Sequence, residues 1–194
     1  MAKHRSLAAL TLTMLFAPAA VAHGPGDAHM HGWSDGMLHP LTGLDHLAAM
    51  LGVGLWAAMR PGAGMWLVPA GFVSGMAAGL FSGLPAPINA IEGGVILSLL
   101  VLGAMLILAV KLPTWAGAVA ATGAGLVHGA SHASEGPADT GFIAFALGAL
   151  AMTAMLHAAG GFAGASLRKR APIIAPIAGA VLAGLGLSLA AQAM

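Results

Sequence analysis

The sequence predicts an all-α, polytopic membrane protein: a bundle of six transmembrane helices that follows a cleaved signal peptide. Of its 194 residues, 59% are hydrophobic and only 7% are charged, whereas about a quarter of the residues in soluble domains are charged. Its mean hydropathy is +0.91. The apolar residues fall into six separate runs, each long enough to cross about 30 Å of hydrocarbon as a helix. A lipid bilayer is therefore the predicted surrounding of the chain.

The composition also excludes several classes of function. The chain has no cysteine, which rules out thiolate metal sites, disulfides and thiol catalysis. It has no basic patch of the kind that binds nucleic acid. It lacks the glycine-rich P-loop motif, so ATP is not its energy source.

Residues 1–22 are predicted to be a secretory signal peptide. Lys3 and Arg5 precede a short apolar run, and the small-residue sequence Ala20-Val21-Ala22 ends the segment, as expected for a cleavage site. A seventh transmembrane helix is the alternative, but the run is short and a Gly/His-rich segment follows it. That segment, 23–37, is predicted to be a periplasmic tail. Its four potential metal ligands are His23, Asp27, His29 and His31, and both metal capture and simple solvation of the tail remain open.

Residues 38–194 form the predicted six-helix membrane domain. The helices are expected at 38–59, 65–84, 88–110, 114–134, 140–164 and 173–192. Short connectors that contain proline or glycine separate most of them. Small residues recur every fourth position in two helices, a pattern that predicts close helix packing. They are Gly71, Gly75, Gly79 and Gly83 in the second helix, and Gly117, Ala121, Gly125 and Gly129 in the fourth.

The charges predict the orientation. A cleaved signal peptide places the new N-terminus outside, and six crossings return the C-terminus to the same side, so both termini are expected in the periplasm. The connectors then expected in the cytoplasm hold all basic residues beyond the signal peptide: Arg60, Lys111, Arg168, Lys169 and Arg170. This distribution obeys the positive-inside rule. All six acidic residues fall on the outer side, so the sequence predicts a multi-pass protein of the bacterial inner membrane whose outer face attracts cations.

The segment 39–46 has the most distinctive chemistry, because it places His39, Asp45 and His46 at the start of a long apolar run. Ionisable groups cost about 2.5 to 3.5 kcal/mol each near the bilayer centre, and they usually mark functional sites. On a regular helix the two histidines share a face, about 10 Å apart along the axis. A break in the helix, which Pro40 would tolerate, brings them closer.

Two further helices bring similar groups to the same level. His128 and His132 share one face of the fourth helix with Glu135, and the third helix begins near Glu92. Because the fourth helix runs outward and the first and third run inward, all these groups are expected in the outer half of the membrane. The complete predicted metal-ligand set is His39, Asp45, His46, Glu92, His128, His132 and Glu135. Nitrogen and oxygen ligands without thiols suit borderline divalent ions such as Ni²⁺, Co²⁺ or Zn²⁺.

Two residues deeper in the bundle have more than one interpretation. His157 lies well inside the fifth helix, where it is either an exit station for an ion or a structural histidine bonded to a neighbouring helix. Met50 lies one turn beyond His46. Methionines are usually core or lipid-facing residues, but Met50 is also placed to line the same path.

The motifs 39–50, Glu92-Gly93-Gly94, His128-Gly129-Ala130-Ser131-His132 with Glu135, and 153–157 resemble the HupE/UreJ family of small nickel permeases. In the fourth helix the sequence departs from the family pattern, because Ala133 and Ser134 stand where a glycine is expected after the second histidine. The resemblance implies six transmembrane helices and secondary uptake of nickel or cobalt. It implies a transported ion and no permanently bound cofactor, and a link to hydrogenase or urease maturation.

Two alternatives use the same histidines: a membrane haem protein for electron transfer and an intramembrane zinc hydrolase. Carboxylates next to the histidines disfavour axial haem ligation. The zinc alternative lacks the H-E-x-x-H motif. The choice among nickel, cobalt and zinc, the coupling to protons or membrane potential, and the oligomeric state stay open at this point.

Overall fold

The computed structural model of the protein describes residues 32–60, 62–83, 86–167 and 171–193. Within these ranges every regular element is an α-helix, so the all-α prediction is confirmed. The predicted signal peptide and the four tail residues His23, Asp27, His29 and His31 lie outside the described residues. The helices are α1 (Trp33–Thr42), α2 (Leu44–Ala58), α3 (Gly64–Phe81), α4 (Ile88–Ile107), α5 (Thr114–Glu135), α6 (Phe142–Ser166) and α7 (Ala171–Gln192).

Four of these helices, α3, α4, α6 and α7, are long and apolar enough to cross a membrane, and α1 with α2 make a fifth if the bent pair counts as one span. Helix α5 has 22 residues, about 33 Å at 1.5 Å per residue. It is less apolar than these four helices, in part because it carries His128, His132 and Glu135. The protein is therefore an all-α membrane protein, and the number of six spans remains a prediction.

The first predicted helix differs from the structure. We expected one helix over 38–59, but helix begins at Trp33, inside the segment predicted as a tail, and the chain bends by 87° between α1 and α2. The bend lies at Gly43, whose backbone is extended at φ −91° and ψ 114°. Pro40 remains inside α1. The Thr42 hydroxyl donates to the carbonyl of His39, which satisfies one of the carbonyl groups left free at the end of α1.

Helices α3 and α5 make the most extensive contact in the bundle, as the small-residue repeats predicted. A Cβ at Gly75 would overlap the Thr122 carbonyl oxygen, and a Cβ at Gly125 would overlap that of Phe72. The two backbones are thus in direct contact, as small residues permit in membrane proteins. Gly83 does not belong to this contact, because it lies beyond the end of α3 with a positive φ of 56°.

Similar contacts join the remaining helices. Gly54 of α2 and Gly160 of α6 each lie against the backbone of the other helix, as do Gly103 of α4 and Gly179 of α7. Helix α1 packs on α6 at Gly36. As a result, α2, α3, α5 and α6 surround a buried centre, and the end of α1, the start of α2 and the end of α5 meet at one end of the bundle.

Candidate metal centre

Four imidazole rings form a continuous row at that end of the bundle, which we call the histidine row: His39, His132, His46 and His128. Ring centroids are 4.9 Å apart for His39 and His132, 4.4 Å for His132 and His46, and 4.9 Å for His46 and His128. The bend at Gly43 makes this possible, because it turns α1 so that His39 and His46 both contact His132. The structure therefore brings together histidines from three helices.

The outermost part of the row contains a group suited to holding a cation. One nitrogen of His39, one nitrogen of His132 and one carboxylate oxygen of Glu135 all lie within 4.8 Å of one another. Opposite ligands of an ion with bonds of about 2.1 Å are about 4.2 Å apart, so small side-chain movements would let all three bind one ion. His39 Nε2 now donates to Glu135 Oε2 over 2.7 Å. The Ser131 hydroxyl donates to the other carboxylate oxygen over 2.9 Å.

Glu92 is placed differently from the other predicted ligands. It is exposed and lines a cleft of about 310 Å³ together with Asp45, His46, Ser131 and Glu135. The end of α7 completes the wall of this cleft at Gln192 and Ala193. Three carboxylates therefore face the space beside the histidine row, where they would attract a cation.

The hydrogen bonds of His46 and His128 fix which ring nitrogen carries the proton. His46 Nδ1 lies 3.1 Å from the Asp45 carboxylate, which accepts, so Nδ1 is the donor. The Ser98 hydroxyl donates to the carbonyl of Val95 and lies 2.9 Å from His128 Nε2, so we assign Nε2–H of His128 as the donor to Ser98. This leaves His46 Nε2 and His128 Nδ1 with free lone pairs.

Those two nitrogens, and both nitrogens of His132, are buried and have no hydrogen-bond partner among the described residues. Leaving a buried polar atom unpaired costs about 1 to 3 kcal/mol, so proteins rarely do so without a functional reason. A neutral imidazole held by a hydrogen bond at one nitrogen and free at the other is the usual form of a metal-binding histidine. The histidine row has this form at His46 and His128.

The row continues toward the bundle centre through Phe72 of α3. Its ring centroid lies 5.3 Å from that of His128 and 4.9 Å from that of His157. His157 is buried, and its Nδ1 lies 2.7 Å from the Thr153 carbonyl oxygen, which can only accept. His157 Nε2 thus keeps a free lone pair and has no partner among the described residues. His157 is separate from the row but joined to it through one aromatic ring.

Sequence reasoning missed the neutral residues of this site, chiefly Phe72, Ser98 and Ser131. Phenylalanine and serine are not unusual in transmembrane helices, so neither stands out as an ionisable group does. One signal was available for Ser131: it lies four residues before Glu135 and therefore on the same helix face.

Comparison with known proteins identifies the family of this chain. A sequence profile described as HupE / UreJ protein matches residues 10–189 of the chain. The chain belongs to the HupE/UreJ family. This HupE/UreJ family member is also 34% identical over 181 residues to Protein HupE of Rhizobium leguminosarum bv. viciae, which covers 92% of the chain and 94% of that relative. No solved structure matches the chain.

Proteins of the HupE/UreJ family are metal permeases. The chain is accordingly a membrane transporter and not an enzyme, and the metal is its substrate, not a cofactor. This assignment favours transport over the zinc hydrolase and haem alternatives.

Proposed function

We propose that the protein takes up a divalent transition-metal ion, with Ni²⁺ as its main substrate, across the bacterial inner membrane. The observation that supports this most strongly is the histidine row, in which three buried imidazoles, those of His132, His46 and His128, offer unpaired nitrogens. A row of neutral nitrogen ligands next to carboxylates suits borderline ions such as Ni²⁺ and Co²⁺ and disfavours hard ions such as Mg²⁺.

In this proposal the ion moves inward in four stages. Glu92 and Asp45 attract the hydrated ion to the cleft. His39, His132 and Glu135 then replace part of its water shell, and the ion passes to His46 and His128. Beyond Phe72, His157 receives the ion on its way out.

The membrane potential is sufficient to drive this movement. A dication that crosses an inside-negative potential of 100 mV gains about 4.6 kcal/mol, equivalent to a concentration ratio of more than about a thousand. Inward movement through the histidine row requires that the row faces the periplasm, which is the case if the six predicted spans place both termini there. It also places the predicted tail, with His23, Asp27, His29 and His31, where it would collect ions.

The same proposal extends to the protein's role in the cell. Imported nickel would supply the maturation of a nickel enzyme, a hydrogenase or a urease. The related protein's name, HupE, and the family description motivate this part of the proposal. Cobalt remains a second substrate to be tested.

Uptake of radioactive nickel by bacterial cells without their own nickel importer tests the function. Cells that express the protein should accumulate nickel, and cells that carry an empty vector should not. Excess Co²⁺ should compete, Zn²⁺ should compete less, and Mg²⁺ should have no effect. Equal accumulation with and without the protein would overturn the proposal, and stronger competition by Zn²⁺ than by unlabelled Ni²⁺ would replace nickel with zinc as the substrate.

Replacing Ser98 with alanine should lower nickel uptake at limiting nickel by about tenfold, because loss of the partner that orients a metal-binding histidine typically costs 10- to 100-fold in affinity. The substitution leaves His128 Nε2 without its acceptor. Ser74→Ala is the matched control, since Ser74 is an exposed serine of α3. If Ser98→Ala and Ser74→Ala both transport as the wild type does, the hydrogen bond at His128 has no role in transport.

A further inference from the structure

A second cluster lies beside the histidine row at the centre of the bundle and consists of Met50, Met76 and Thr153. The Thr153 hydroxyl lies 3.3 Å from Met50 Sδ and 3.3 Å from Met76 Sδ. All three side chains have 0% exposure. Three different helices, α2, α3 and α6, contribute them, so their sulfur and oxygen atoms meet at the centre of the bundle.

The cluster occupies the step between His46 and His157. Met50 lies one helical turn beyond His46 on α2, Thr153 lies one turn before His157 on α6, and Met76 lies one turn from Phe72 on α3. Thr153 connects the cluster directly to His157, since its hydroxyl contacts both sulfurs and its carbonyl accepts a hydrogen bond from His157 Nδ1. Each member of the cluster thus lies one helical turn from His46, Phe72 or His157.

The chemistry of these atoms differs from that of the row. Each thioether sulfur is a soft, uncharged ligand, and a hydroxyl has only one proton to share between the two sulfurs. At least one sulfur at a time thus has no hydrogen from Thr153. Soft and borderline transition-metal ions accept thioether ligands, whereas hard ions such as Mg²⁺ and Ca²⁺ prefer carboxylate, carbonyl and water oxygens. The chain has no cysteine, so methionine is its source of sulfur ligands.

Beside the cluster, His157 Nε2 is buried and has no partner among the described residues. It is held with its lone pair free by the bond from Nδ1 to Thr153. A purely structural role, in which the sulfur atoms only accept the hydrogen bond of the buried Thr153 hydroxyl, would explain these contacts. It would not explain why an unpaired nitrogen lies one turn away on the same helix face.

From these observations we propose a second metal station in the bundle, in which the thioethers of Met50 and Met76 and the hydroxyl of Thr153 bind a soft or borderline ion and pass it to His157 Nε2. This inference rests on the proposed transport of such an ion. It adds a mixed sulfur and oxygen site that selects against hard ions after the nitrogen and carboxylate site has admitted the ion. No carboxylate contributes to the cluster, so the ion is held weakly enough to move on.

The test compares the wild type, Met50→Leu/Met76→Leu, and the control Met155→Leu. Leucine keeps a similar volume without sulfur, and Met155 is an exposed methionine of α6. X-ray absorption at the nickel edge, on the full-length protein in lipid nanodiscs with two equivalents of nickel, should show sulfur in the nickel ligand shell of the wild type and Met155→Leu. The double variant should lose this signal and take up nickel about tenfold more slowly in cells.

The possible failures of the station and of transport are distinguishable. Nickel uptake by the wild type without sulfur in its ligand shell would overturn the station and leave transport intact. Sulfur-bound nickel in a wild type that transports none would support the station and overturn the proposed function. If the double variant does not reach the membrane, Met50→Leu and Met76→Leu are measured singly, and each should lower the sulfur signal by about half. An unchanged signal in both would contradict the proposal.

Discussion

Replacing His132 with alanine is expected to lower nickel uptake by about 100-fold or more, since loss of even an indirect partner of a metal ligand costs 10- to 100-fold. His132 lies between His39 and His46 in the row, with ring centroids 4.9 Å and 4.4 Å away. It is 1% exposed, and neither of its nitrogens has a partner among the described residues. The substitution therefore removes one of the three ligands His39, His132 and Glu135, and it also interrupts the histidine row.

Uptake by cells at limiting nickel measures this effect, and the amount of protein in the membrane is measured in parallel. Ser134→Ala is the matched control, because Ser134 is an exposed residue two positions away on α5 whose hydroxyl donates to the Ser131 carbonyl of the same helix. We expect Ser134→Ala to transport as the wild type does. If His132→Ala reaches the membrane in normal amounts and transports nickel normally, the histidine row is not the path.

Replacing Gly125 with alanine is expected to have the second large effect, in this case on the fold. The added methyl group would overlap the Phe72 carbonyl oxygen, and backbone cannot move aside as a side chain can. Overpacking typically costs about 1 to 3 kcal/mol, and an overlap with backbone belongs at the upper end of that range. Because Phe72 joins His128 to His157, separating α3 from α5 should also disturb the path, and nickel uptake should fall.

Thermal unfolding of the purified protein in detergent, with nickel uptake in cells, checks this prediction. Gly123→Ala in the same helix is the control, since a Cβ at Gly123 has no atom within 4 Å. Alanine there should be neutral or slightly stabilising, because it is the better helix former. Equal unfolding temperatures for the two variants would contradict the close contact between α3 and α5.

Much of the site follows from the sequence because its ionisable residues are costly in a membrane and lie on helices of opposite direction. His128 and His132 are four residues apart, which places them on one face, and the alternation of helices brings that face level with His46. The same reasoning correctly predicted that glycines such as Gly75 would lie at a helix contact. Periodicity is a local property, so it can be read without the tertiary structure.

The other features of the site could not be predicted, because they depend on contacts between residues that are far apart in the sequence. Pro40 would tolerate a break in the helix, but the bend lies at Gly43, and α1 packs on α6 at Gly36. Ser98 and Phe72 were missed for the same reason: each contacts a histidine of another helix. Nothing in their own segments of sequence indicates that partner.

Purified full-length protein in sealed liposomes provides the most direct test of the central idea, that the histidine row conducts a divalent transition metal. With an inside-negative potential imposed and nickel outside, liposomes with the wild-type protein should accumulate nickel, and those with His132→Ala should accumulate about 100-fold less. Without the potential, the nickel concentration inside should rise only to the concentration outside. Equal nickel entry with the wild type, with His132→Ala and with protein-free liposomes would contradict the account.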